Sequence, residues 1–215
     1  MTKVRKFEYP KAEAALLQDL EEYRKYALEL GASEAVIIKS GDLIFDPRVR
    51  LKCIYPKCRW YGTNAHCPPY APDPERVQAA LARFRYGILY RIRVPAEDFT
   101  GSYNDPGGRS RPAKWQKLNC QIASLVEARA FYDGYCLALG FAGGPCKSIF
   151  CPEGRCAAII PGQGCRAATR ARSSLEGAGI YAFAMAARAG WDIYPCGPNT
   201  GEVPFGSALG LVMID

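Results

Sequence analysis

Cysteine is the residue type here whose number and spacing could do chemistry: ten occur in 215 residues, against a single histidine, His66. Four fall within one loop rich in Gly and Pro, as Cys146-x4-Cys151-x4-Cys156-x8-Cys165. A second group reads Cys53-x4-Cys58-x8-Cys67-Pro68-Pro69. Four thiolates on a loop that can wrap a wide object suit an iron–sulfur cube, and proline beside cysteine helps fix the turns. Structural zinc more often uses paired C-x2-C knuckles, and neither is present, so zinc is the alternative. Most zinc and non-haem iron enzymes draw on histidine, so a metal centre here has to be dominated by sulfur.

The first group supplies three local thiols. A fourth ligand comes from Cys196 in Tyr194-Pro195-Cys196-Gly197-Pro198, from Cys120, from His66, or from nothing, which leaves an open iron. Cys120 and Cys136 are expected on one long helix, about 160° apart around its axis, and so cannot face one site. Burial as small apolar side chains suits both. The metal ligand set is therefore Cys53, Cys58, Cys67, Cys146, Cys151, Cys156, Cys165 and Cys196, holding two [4Fe–4S] clusters. Lys147, Arg155, Arg166, Arg170 and Arg172 either compensate cluster charge, receive an acidic partner, or form an ordinary solvated face.

The cysteine loops have to be positioned by regular elements. Residues 11–31 carry apolar side chains at helical spacing and end on Gly31. Ala35–Ile38 reads as a strand, and Leu43–Leu51 as a second strand broken by Pro47. Asp73-Pro74 starts a helix, with Asp73 at the N-cap. Tyr86–Val94 alternates as a strand, and residues 100–112 form an exposed linker. A long helix is expected from Ala113 to Leu139, stopped by Gly140. Ser173 with Glu176 reads as a capping box opening a helix that ends near Gly190. Leu209–Ile214 reads as a buried last strand. The order points to a single α+β (or α/β) domain over residues 1–215: a small mixed sheet flanked by helices, with two cysteine-rich metal-binding loops.

At these residues the chain resembles a family of cysteine-rich "predicted metal-binding proteins" of anaerobic bacteria and archaea, a domain of unknown function of iron–sulfur type. The resemblance rests on the Cys53…Cys58…Cys67-Pro68-Pro69-Tyr70-Ala71-Pro72 block and the strand from Tyr86 to Arg91. It continues through Gly143-Gly144-Pro145-Cys146, Cys165-Arg166, the run from Ala171 to Ile180, and Leu211–Ile214. It implies a metal cofactor and an anaerobic setting, and no particular reaction.

Composition limits the function. The net charge is +7, but the 28 Lys and Arg read as spread along the chain without a nucleic-acid-binding motif, so nucleic acid is not an expected partner. Two oxidised clusters would lower that charge to about +3. There is no apolar run of membrane-spanning length and no secretory signal, so no membrane is expected and the cytoplasm is the expected compartment. No dinucleotide or phosphate-loop fingerprint occurs. Electron transfer with a partner redox enzyme is the leading expectation. One alternative is an enzyme with an open iron acting on a small molecule, with Tyr55, Tyr61, His66 and Tyr70 near it. The other is a structural zinc module for protein contacts. A homodimer is possible.

Overall fold

The computed structural model describes residues 4–99, 110–196 and 203–215. Five strands form one mixed sheet: β1 (Glu34–Lys39), β2 (Tyr86–Val94), β3 (Leu139–Ala142), β4 (Ser173–Ser174) and β5 (Gly206–Ile214), in the order β1-β2-β5-β3-β4. β1–β2, β2–β5 and β5–β3 are antiparallel, and only β3–β4 is parallel. The α+β expectation, a small mixed sheet flanked by helices, is met.

Period-two alternation divides the core. Ile88, Tyr90, Ile92 and Val94 of β2, with Ala208, Val212 and Ile214 of β5, face one layer. That layer holds Leu16, Leu20, Tyr23 and Ala27 of α1 (Glu13–Glu29) and Ile122, Ala123, Val126 and Ala130 of α5 (Ser110–Tyr132). Leu89, Leu209, Leu211 and Met213 face the other side, against Leu81 of α3 (Pro74–Leu81) and Met185 and Ala186 of α7 (Ala182–Arg188). Gly210 of β5 is required by a close approach: a Cβ there would lie 2.1 Å from the Tyr90 hydroxyl. That hydroxyl donates to Asn119 Oδ1 at 2.7 Å, and Asn119 Nδ2 donates to the Leu209 carbonyl at 2.8 Å, so α5 is tied to the sheet at this point.

Several expected boundaries are corrected. Residues 47–54 form a helix, α2 (Pro47–Ile54), in place of a broken strand. Asp46 accepts the Arg48 N–H at 2.8 Å and Pro47 takes the first helical position, which is the chemistry of a helix start. The long helix ends at Tyr132, seven residues earlier than expected. Gly134, with φ +95°, stops it: Gly134 N–H reaches the Phe131 carbonyl and Tyr135 N–H the Ala130 carbonyl, the paired bonds of a Schellman motif. Cys136 is thus beyond the helix and exposed, not on it beside Cys120.

Residues 110–112 of the expected linker are helical, and the expectation for 100–109 falls outside the described residues. Ser173 does not cap a helix. Ser173 and Ser174 pair with Phe141 and Ala142, Ser174 Oγ accepts from Gly177 N–H at 2.9 Å, and α7 starts only at Ala182. Pairing with β3 overrides the local capping signal. Two further short helices complete the order: α4 (Ala96–Phe99) and α6 (Cys146–Phe150). Among the described residues no helix is long and apolar enough to cross a membrane.

Candidate metal centre

The first cysteine loop leaves α2 and runs to α3 as a series of backbone turns. Cys58 N–H donates to the Cys53 carbonyl, Tyr61 N–H to Cys58, and Cys67 N–H to Asn64. Gly62 N–H reaches the Pro68 carbonyl at 2.7 Å and closes the loop. Arg50 ties α2 to this structure by donating to the carbonyls of Pro72 and Gly177. Cys53 is pushed up from the ordinary thiol range by burial first, then by Cys58 and Cys67, so these three thiols lie within electrostatic reach of one another.

The second loop starts in α6, where Ser148 Oγ donates to the Pro145 carbonyl at 2.8 Å. Lys147 folds over the next turn, donating to the carbonyls of Cys151 and Gly154. Cys146, Ala167 and Ala171 form a small apolar cluster, with Phe150 and Cys165 packed on it. Arg172 closes the loop: it forms a two-pronged ion pair with Glu127 of α5, at 2.8 and 2.7 Å, and Glu127 also accepts the Gly140 N–H of β3. Arg170 sits 5.3 Å over the Phe150 ring. Arg172 and Lys147 are therefore structural braces, whereas Arg155 and Arg166 are exposed.

The two loops meet at Asn64, which is fully buried. Its Oδ1 accepts the backbone N–H of His66 at 3.1 Å, and the Cys146 thiol donates to the same oxygen at 3.7 Å. The Asn64 side chain also hydrogen-bonds Cys67, which pulls that thiol down against the larger upward push of burial. Burial pushes Cys146 up to about 12, and Cys67, Cys120, Cys156 and Cys165 add to it. His66 is held below the ordinary imidazole pKa by burial first and then by the Arg172 charge. A hydrogen bond to the Arg172 backbone opposes this, and its Nδ1 is buried without a partner.

Eight of the predicted residues thus separate into three places. Cys53, Cys58 and Cys67 share one loop, and Cys146, Cys156 and Cys165 share the other with Cys151 at the end of α6. Cys67 is common to both neighbourhoods. Cys196 stands apart: its sulfur approaches the Tyr194 carbonyl at 3.7 Å, and burial alone raises it. Cys120 is fully buried in α5 and within reach of Cys146. Among the described residues no three Cys, His, Asp or Glu side chains are already gathered at metal-ligating distance.

The donor chemistry nonetheless fits a thiophilic metal. Several buried thiols repel one another's charge; the only loop carboxylate is exposed Glu153, and the Glu176 carboxylate just beyond the second loop adds to the upward push on Cys53. A soft cation is the group that makes thiolates stable in such a place. The orphaned His66 Nδ1 adds one further unsatisfied donor or acceptor beside it.

Sequence reasoning missed two features. Asn64 carried only the signal of an Asx turn, its side chain bonding the N–H two residues on. The cations are also not evenly spread. Pro47–Pro72 contains five Lys or Arg and no Asp or Glu, and Gly143–Arg172 contains five with the single acid Glu153. With +7 overall, the remainder of the chain is net negative.

No curated protein and no solved structure matches this chain. A family profile does, over residues 36–214, which takes in both cysteine loops and every strand but the first two residues of β1. The chain belongs to DUF2284, a family of predicted metal-binding proteins.

Proposed function

We propose that this chain is an iron–sulfur protein of the cytoplasm, that its two loops carry two [4Fe–4S] clusters, and that it exchanges electrons with a partner redox enzyme. Cys146, Cys151, Cys156 and Cys165 would hold one cluster, and Cys53, Cys58 and Cys67 the other. The observation that carries this reading is the junction at Asn64, where Cys67 of one loop and Cys146 of the other approach the same buried amide. Two all-sulfur centres sharing a wall suit electron passage between them. A bound [4Fe–4S] cluster supplies reversible one-electron chemistry at a potential set by charge, hydrogen bonds to sulfur and exposure.

The isolation of Cys196 favours a second reading. Three thiols at the first loop leave a coordination position for a small molecule, with Tyr61 and His66 beside it and Tyr55 and Tyr70 exposed nearby. The deciding measurement is iron, acid-labile sulfide and zinc per chain after oxygen-free purification, with EPR spectra after dithionite. About eight irons and eight sulfides, reversibly reducible, are expected. A spectrum that changes with added small molecules selects the open-position enzyme. Stoichiometric zinc without sulfide refutes both readings and leaves a structural zinc module.

A further inference from the structure

α2 is an eight-residue helix with no buried residue. Leu51 and Ile54 stand three positions apart on one helical face, 56% and 51% exposed, and Tyr55 follows at the end of the helix, 80% exposed. Lys52 lies between the two aliphatic residues and Lys57 just beyond. Neither has a carboxylate partner among the described residues; Lys57 leans on the Tyr61 ring at 5.2 Å. Cys53, half-buried, is part of the same helix. An apolar centre rimmed by unpaired cations is thus built around a candidate ligand.

The charge of this surface survives metal binding. The two cysteine loops together hold an excess of nine positive charges, and two oxidised clusters would return only about −4 of it. The rest of the molecule is net negative, so the field that an approaching protein meets is directional.

We propose that the exposed face of α2 is the docking surface for an acidic one-electron carrier protein, with Leu51, Ile54 and Tyr55 as its apolar centre and Lys52 and Lys57 as its charged rim. This rests on the electron-transfer reading and adds to it the place and the charge of the partner. Electrostatic steering sets orientation so that the partner arrives over Cys53, and the small apolar centre keeps the complex short-lived, as turnover requires.

The test is direct binding of an acidic [2Fe–2S] ferredoxin, measured by calorimetry on the protein as purified, with iron and sulfide determined on the same samples. The expected dissociation constant is about micromolar at low salt and weakens about tenfold or more between about 0.05 and 0.5 M salt. Lys52→Glu with Lys57→Glu should weaken it about tenfold or more, as should Leu51→Ser with Ile54→Ser. Arg24→Glu with Lys25→Glu, an equal charge change on α1 in the layer across the sheet, should leave it within about twofold. Absence of binding at low salt, or equal loss in the Arg24/Lys25 and the Lys52/Lys57 variants, overturns the docking face. Clusters present without binding would sink this inference alone, whereas binding without iron would sink the electron-transfer reading and leave α2 only as a face for an acidic protein that is not an electron carrier.

Discussion

Asn64 is a neutral side chain whose position makes it consequential for the metal centre. It is the only described side chain hydrogen-bonded both to Cys67 and to Cys146, and it holds the turn that presents Cys67 through the His66 N–H. Asn64→Ala removes a buried amide and strands the groups it served, at a cost of about 1–3 kcal/mol. It should lower both the melting temperature and the iron retained per chain after gel filtration. Asn64→Asp should lose more metal than Asn64→Ala, because a carboxylate beside the thiolates adds repulsion. That the cysteines fall into two Gly/Pro-rich loops was legible from their spacing alone. Asn64 was not: its partner Cys146 is 82 positions away, and no local pattern announces that meeting.

At the level of elements, legibility followed the strength of local signals. α1, α3, β2 and β5 have a clear period or a proline at the helix start, and they form near where expected, β5 beginning three residues earlier, at Gly206. The end of α5 was misjudged because Asp133-Gly134 was outweighed by the apolar residues after it, and β4 because a strand of two residues exists only through its partner β3. Arg91 illustrates a contact of the same tertiary kind. It points from β2 into the second layer, 1% exposed, gives two hydrogen bonds to Glu34 of β1, and donates to the Asp192 carbonyl. These bonds, with Arg93, hold the Glu34 carboxyl below the usual carboxylate range. Such a depressed group stabilises the fold above its unfolded pKa, and that contribution disappears as pH falls through the folded value. Glu34→Gln should therefore be less stable than the parent at pH 7, and the difference should shrink in urea titrations repeated at falling pH below about 4.5. A constant difference across that range would show that the ion pair does not tune stability.

For the whole molecule, two halves of one sheet depend on different supports. One layer is a continuous apolar core of α1 and α5. At the other end, the cysteine loops bury mostly small side chains, among them Ala71, Cys146, Cys156, Ala157, Ala167 and Ala171, around the buried Asn64. Metal is expected to supply what packing does not there, because ligands that bind only the folded state add their binding free energy to stability. Removal of metal by an iron chelator under reducing conditions should lower the main melting temperature by about 10 °C or more, at about 2–4 °C per kcal/mol for a chain of this size. Proteolysis should then cut first within 53–72 or 146–172, before the α1 and α5 layer opens.

β5 lies in the middle of the sheet, between β2 and β3, yet it follows both cysteine loops in the chain. During synthesis the loops emerge while the strand that joins the two halves of the sheet is still missing. All seven loop thiols are then carried on a chain whose β1–β2 and β3–β4 pairs have nothing between them. The sheet that carries both loops is joined only when β5 docks, so any metal taken up earlier would sit on a chain whose sheet is still in two parts.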